Sequence, residues 1–287
     1  MNKRIPAIIS TISNSFCDFT LDIAVNRYNM YTILFGTALC SFIIQLIYGI
    51  ITGISVTSLS LVFIIINGFC LLLGYILYVQ ALKRLPIALA GLIESGNLFA
   101  YLLIDYICGY LKINLWFIFL FTMFILSIII FSYDTCNHKD ENKIKKIKIS
   151  GIIILVFSRI FYGFEPYLVK FASSTGANEV AINFGYYFFA IPFFFIMMKK
   201  NKVKEEKIDY SGFIKMIVLI SLFESIYYIF ETMGYANETA VINAIIQEIK
   251  VFLLFILSII FKTDKLSLNK IIAIIIGILS VIGIYLY

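Results

Sequence analysis

Ten apolar runs, each long enough to cross a lipid bilayer, take up nearly all of this chain and leave little else to fold. A spanning helix needs about 20 residues at 1.5 Å rise each. The runs fall at 5–25, 29–53, 58–82, 86–108, 113–133, 150–172, 178–198, 210–234, 239–261 and 267–286. Their connections are short except for Asp134 to Ile149 and Lys199 to Asp209, which are charged. Only 14% of the 287 residues are charged and 61% are hydrophobic, whereas a soluble domain carries roughly 25% charged residues. No aqueous surface can be dressed with so few charges. The predicted fold is all-α and integral to the membrane.

The charged linker at 135–149 lies near the middle and divides the chain into halves, 1–134 and 150–287, of five spans each. An odd number of spans per half inverts one half relative to the other, which predicts two inverted-topology five-helix repeats with a site near the midplane. Polar residues agree with that division. In the fourth run Glu94, Asn97, Tyr101 and Asp105 are spaced three, four and four apart, on one helical face. Moving forward 153 positions takes Glu94 to Gln247, Asn97 to Lys250 and Asp105 to Ser258, in the ninth run. Asp22 and Arg27 likewise match Glu165 and Lys170, 143 positions on.

Other runs carry stripes at helical spacing. The first has Asn14, Asp18 and Asp22; the sixth has Arg159, Tyr162 and Glu165, with Pro166 as a kink point; the eighth has Glu224, Tyr227, Tyr228 and Glu231. An ionisable group at membrane depth costs at least ~2.5 kcal/mol on insertion scales, so each requires a partner or a purpose. Glu94 leads the candidates, being mid-run, on a polar stripe and without an opposite charge within a helical turn of sequence. The substrate-binding set is Glu94, Asn97, Tyr101, Glu224, Tyr228, Gln247, Lys250, Asp18, Asn14, Arg159 and Tyr162. Carboxylates among these suit a cation or amine, and tyrosine faces add cation–π attraction of about 0.5–2 kcal/mol. Lys250 and Arg159 suit the carboxylate of a zwitterion; their structural alternative is to neutralise neighbouring acids. Asp22, Arg27, Glu165 and Lys170, near run ends, are expected to snorkel to the interface.

The remaining signals exclude more than they assign. The net charge of +6 comes from lysines in short loops and is no nucleic-acid footprint. The five cysteines form no CxxC pair. Lys3 and Arg4 precede the first run, but Asn14, Asp18 and Asp22 interrupt it, so it reads as a mature helix and not a cleaved signal. No phosphate-cradling glycine loop, nucleophile elbow or metal-ligand cluster is present, which points away from an enzyme, a cofactor and ATP-driven transport. Loops after odd-numbered runs, Lys262, Lys265 and Lys270 among them, hold sixteen lysines and arginines against three on the other side. By the positive-inside rule both termini lie outside.

Two junctions carry a resemblance. Tyr78-Val-Gln-Ala-Leu-Lys-Arg84 followed by Pro86-Ile-Ala-Leu-Ala90 joins the third and fourth runs, and Gly234-Tyr235-Ala236 followed by Thr239-Ala240 occupies the same place in the second half. With Gly277 and Gly283 in the last run, these resemble the drug/metabolite transporter superfamily in its ten-helix EamA-type form. The resemblance implies export or exchange of amino acids, metabolites, quaternary amines or drugs, often with proton coupling, and both termini in the cytoplasm, against the lysine count. The chain departs from the family at several places. Gly96-Asn97 and Ile249-Lys250 stand where the family has Glu-Pro, and Gly109-Tyr-Leu-Lys112 replaces its Gly-Glu-Arg loop.

Together these features predict a secondary transporter in the plasma membrane of a bacterium. It would move a small cationic or zwitterionic solute through a central cavity by alternating access, with the lipid bilayer and the solute as its partners. The sequence assigns no oligomeric state. Two alternatives make other predictions: a lipid-linked substrate translocase needs a lateral opening, and a membrane scaffold or sensor needs polar stripes that pair only among themselves.

Overall fold

The computed structural model describes residues 4–96, 115–137, 147–201, 210–237, 246 and 249–285, and among these the regular structure is helix alone. The helices are α1 (Arg4–Arg27), α2 (Met30–Thr52), α3 (Ser58–Leu82), α4 (Ile87–Glu94), α5 (Leu115–Asn137), α6 (Ile149–Gly163), α7 (Glu165–Ser174), α8 (Glu179–Lys200), α9 (Tyr210–Asn237), α10 (Ile249–Ile260) and α11 (Leu268–Tyr285). Counting α6 and α7 as one interrupted span gives ten helices among the described residues. Among the described residues seven spans are long and apolar enough to cross a membrane, and α10 and α11 are shorter apolar helices. Of the fourth run, α4 covers Ile87–Glu94 with Ser95 as its C-cap, and 97–108 lie outside the described residues.

Helix ends follow local chemistry. The Asn29 side chain accepts from the backbone N–H groups of Tyr31 and Thr32, capping α2, and Asn178 does the same for α8 through Ala181. Gly53 closes α2 at φ 88°, a left-handed conformation that glycine adopts without a Cβ penalty. Pro166 explains the break after α6: it has no N–H to give to the carbonyl four residues back, and its ring clashes with that carbonyl. The outward faces are apolar, with Ile50, Leu115 and Phe188 all exposed. A protein in water would bury such residues; a hydrocarbon solvent leaves them on the outside.

The helices gather into two compact units, residues 1–73 with 164–240 and residues 74–163 with 241–287. In the first unit α1 packs along α9, and α2 packs against both α8 and α9. The beginning of α3 meets α8 with no side chain between them: a Cβ on Gly68 would lie 2.1 Å from the Gly185 carbonyl oxygen. Gly49, part of a GxxxG pair, faces Val180 of α8, so it serves packing within the chain. In the second unit α5 lies along α11, and α4 packs against α10 and α6. Gly277 of α11 lets Leu92 and Ser127 approach, and Gly91 of α4 faces Leu254 of α10.

Each unit therefore takes helices from both halves of the sequence. The first holds spans one and two, the start of three, the later part of six, and spans seven and eight. The second holds the remainder.

Candidate functional site

In the second unit three charged side chains converge. Glu94 is the last residue of α4, Arg159 lies in α6, and Lys250 lies in the first turn of α10. Arg159 Nη1 donates to Glu94 Oε1 at 2.8 Å, and Lys250 Nζ reaches the same oxygen at 2.9 Å. The side chains of Arg159 and Lys250 are 6% and 7% exposed and that of Glu94 is 13%, which makes the acid the most accessible of the three. Glu94 Oε2 has no hydrogen-bond partner among the described residues.

Aromatic rings fix the guanidinium. Its carbon lies 4.9 Å from the centroid of Tyr78 and 4.6 Å from that of Tyr162. Guanidinium groups stack on such faces readily because they are planar and weakly hydrated. Gly74 leaves the space that Tyr162 fills, since a Cβ there would lie 3.0 Å from the ring. Arg159 Nη2 also donates to Ser158 Oγ at 3.3 Å, and that hydroxyl donates to the Gly74 carbonyl at 2.7 Å. Four of the sequence candidates, Glu94, Arg159, Tyr162 and Lys250, are thus brought together.

The first unit carries a second polar group of a different sign. Asp18, Asp22, Glu165, Glu224 and Glu231 are all buried there. Arg27, Lys170 and Lys215 are exposed, and no lysine or arginine is buried among the unit's described residues. Asp22 and Glu165 therefore do not snorkel as their nearness to run ends suggested, although Arg27 and Lys170 do reach the outside. The Ser41 hydroxyl donates to Glu224, and Gln45 Nε2 donates to the Tyr187 hydroxyl at 3.0 Å. Tyrosines line the same region: Tyr186 and Tyr228 have centroids 5.6 Å apart, and Tyr227 and Tyr228 4.8 Å. Tyr227 is also within the electrostatic reach of both Glu231 and Glu165. Tyr235 donates to Glu231 at 3.3 Å, and Thr232 to Asn183 at 2.9 Å. Asn14, half-buried, and Asp18 sit on α1, the helix that packs along α9.

The candidates Asn97, Tyr101 and Gln247 lie outside the described residues, as does Asp105. Ser258, its counterpart in the ninth run, donates within its own helix to Phe255. Two participants escaped the sequence reading, Ser41 and Gln45 on α2. With Thr37 they form a stripe at steps of four in an otherwise apolar run. All three are buried, and Ser221 Oγ donates to the Thr37 carbonyl at 3.2 Å.

Comparison with known proteins agrees with this architecture. No curated protein matches the chain in sequence. A solved crystal structure is similar with a TM-score of 0.66 over 98% of this chain and 96% of its own, at 13% sequence identity, a likeness of fold. Residues 149–286 match the EamA-like transporter family. The helices are those of a multi-pass membrane protein, and its second half, just under half of the chain, is similar to the EamA-like transporter family.

Proposed function

We propose that this protein is a secondary transporter for a small organic solute bearing an ammonium or quaternary ammonium group, amino acids included, working by alternating access in a bacterial plasma membrane. The observation that carries the proposal is the buried interior of the first unit, with five carboxylates, closely packed tyrosines and no buried base among its described residues. Carboxylates at membrane depth mark substrate and ion pathways, and the same groups suit proton coupling. In this reading Glu224, steadied by Ser41, takes the cationic group, with Tyr228 as an aromatic wall and Asp18 and Asn14 contributing from α1. Glu94 no longer leads for that role, because two bases already hold its carboxylate.

The way spans are shared between units supports two equivalent halves. The first unit takes the opening three spans of each half, whole or in part, and the second takes the closing two of each. That is what inverted five-helix repeats would produce.

The test is uptake of choline and tetramethylammonium by proteoliposomes, beside their effect on thermal unfolding in detergent. A ligand of the folded state raises the unfolding midpoint by mass action. Glu224→Gln is expected to lose both uptake and stabilisation while Glu94→Gln keeps stabilisation by these cations. Unchanged behaviour of Glu224→Gln would overturn the assignment.

A further inference from the structure

Two cations on one oxygen of one carboxylate is an uneven arrangement. A carboxylate has about four lone-pair positions over its two oxygens, and an arginine fork fits both oxygens at once. Here Arg159 and Lys250 both address Glu94 Oε1, while Oε2 has no partner among the described residues. Nor does the guanidinium depend on Glu94 for its placement, since Tyr78 and Tyr162 hold it from its sides and Ser158 accepts from Nη2. If Glu94 withdrew, Arg159 would remain aimed where the carboxylate had been. Such pre-organisation lowers the cost of binding a replacement.

The acid is also the member of the cluster best placed to leave. It ends α4, and the chain turns immediately afterwards, with Ser95 and Gly96 bonded back to Gly91 and Ile93. Arg159, by contrast, lies within α6, and both bases are more deeply buried than the acid.

We propose that Arg159 and Lys250 form a carboxylate-binding site in which Glu94 is an internal stand-in that the carboxylate of a solute displaces. The inference rests on the transport reading above but not on its cation site, which uses other residues. It gives the solute class a carboxylate group, and it casts Glu94 as a competitor of substrate in place of a direct ligand. No bond is made or broken; one carboxylate replaces another on two cations.

The experiment follows thermal unfolding of the full chain in detergent against acetate, butyrate, benzoate and L-phenylalanine, each beside its uncharged or amidated counterpart. At least one carboxylate is expected to raise the midpoint where its amide does not. Glu94→Gln removes the competitor, so the half-saturating concentration should fall by about tenfold, equivalent to about 1.4 kcal/mol. Lys250→Met should weaken the effect in turn. If Glu94→Gln does not fold, the acid–amide contrast in the wild-type chain and its loss in Lys250→Met still decide. Equal responses to acid and amide, or weaker carboxylate binding in Glu94→Gln, would overturn the stand-in. Choline stabilisation that vanishes in Glu224→Gln, with every carboxylate inert, would sink this inference alone. Carboxylate stabilisation with choline inert would sink the cation site alone.

Discussion

Arg159 and Glu94 stand 65 positions apart in the chain and meet at 2.8 Å, the guanidinium held between two tyrosine rings. Removing Arg159 leaves Glu94 with Lys250 as its cation at 2.9 Å, so no buried charge is stranded and the loss is that of the charge-assisted hydrogen bond and the tyrosine stacking. Arg159→Ala should therefore destabilise the protein by about 1.5–3 kcal/mol. Arg159→Lys keeps the charge but loses the planar fork and the stacking, and should cost less. Thermal unfolding of the two variants in one detergent gives the comparison; equal losses would mean that charge matters little here and that shape carries the contact.

Gln45 and Tyr187 make an asymmetric pair. Gln45 Nε2 donates to the tyrosine hydroxyl, while Gln45 Oε1 has no partner among the described residues. Tyr187→Phe strands the buried amide altogether and is expected to cost about 1–3 kcal/mol. Adding Gln45→Met to Tyr187→Phe removes the stranded amide at similar volume, so the double variant should recover much of that loss. The order of the two midpoints is the measurement, and a double variant less stable than Tyr187→Phe alone would contradict it.

At the start of α11 the Lys270 ammonium is fully buried on Asp264, with the Phe131 ring 5.4 Å away. Close by, Asp134 at the end of α5 accepts from Ser267 and Asn269 at 2.7 and 3.0 Å. Lys270→Met alone leaves a buried aspartate without its cation and should cost about 3–5 kcal/mol. Adding Asp264→Leu removes the stranded charge, so the double variant should recover much of that loss. A double variant no better than the single one would show that the pair's hydrogen bonds outweigh its charge balance.

Two glycines test two different physical demands. Gly68→Ala would drive a methyl group to within 2.1 Å of the Gly185 carbonyl oxygen, forcing α3 and α8 apart. Overpacking of this kind costs about 1–3 kcal/mol or more. Gly53→Ala meets nothing within 4 Å but must hold φ 88°, so its cost should stay near 1 kcal/mol. Unfolding midpoints are expected in the order wild type, Gly53→Ala, Gly68→Ala.

Helix positions were legible because a bilayer imposes length and apolarity on each span independently. The run at 58–82 returns as Ser58–Leu82, and the run at 178–198 as Glu179–Lys200. Pro166 marked the break between α6 and α7 for a local steric reason. Charge partnerships were not legible in the same way. Glu94 has no opposite charge within a turn of sequence, yet Arg159 and Lys250 reach it from helices distant in the chain. Lys270 counted as a loop lysine and is in fact fully buried, because Asp264 lies six residues before it across a tight connection. Ser41 and Gln45 passed unnoticed since small or neutral polar residues scarcely lower the hydropathy of an apolar run. Their spacing was the available signal.

The sharing of both halves between the two units has a consequence for how the protein is made. α1 emerges first, but the helix it packs along, α9, begins at Tyr210. At synthesis rates of about 5–20 residues per second, that is a wait of roughly 10–40 s. Throughout that time the face of α1 bearing Asp18 and Asp22 sits in the membrane without the surface that finally covers it. Neither half of the chain can close a unit while the other is missing. Assembly must therefore be a late, long-range event, with inserted helices held loosely until the eighth span arrives.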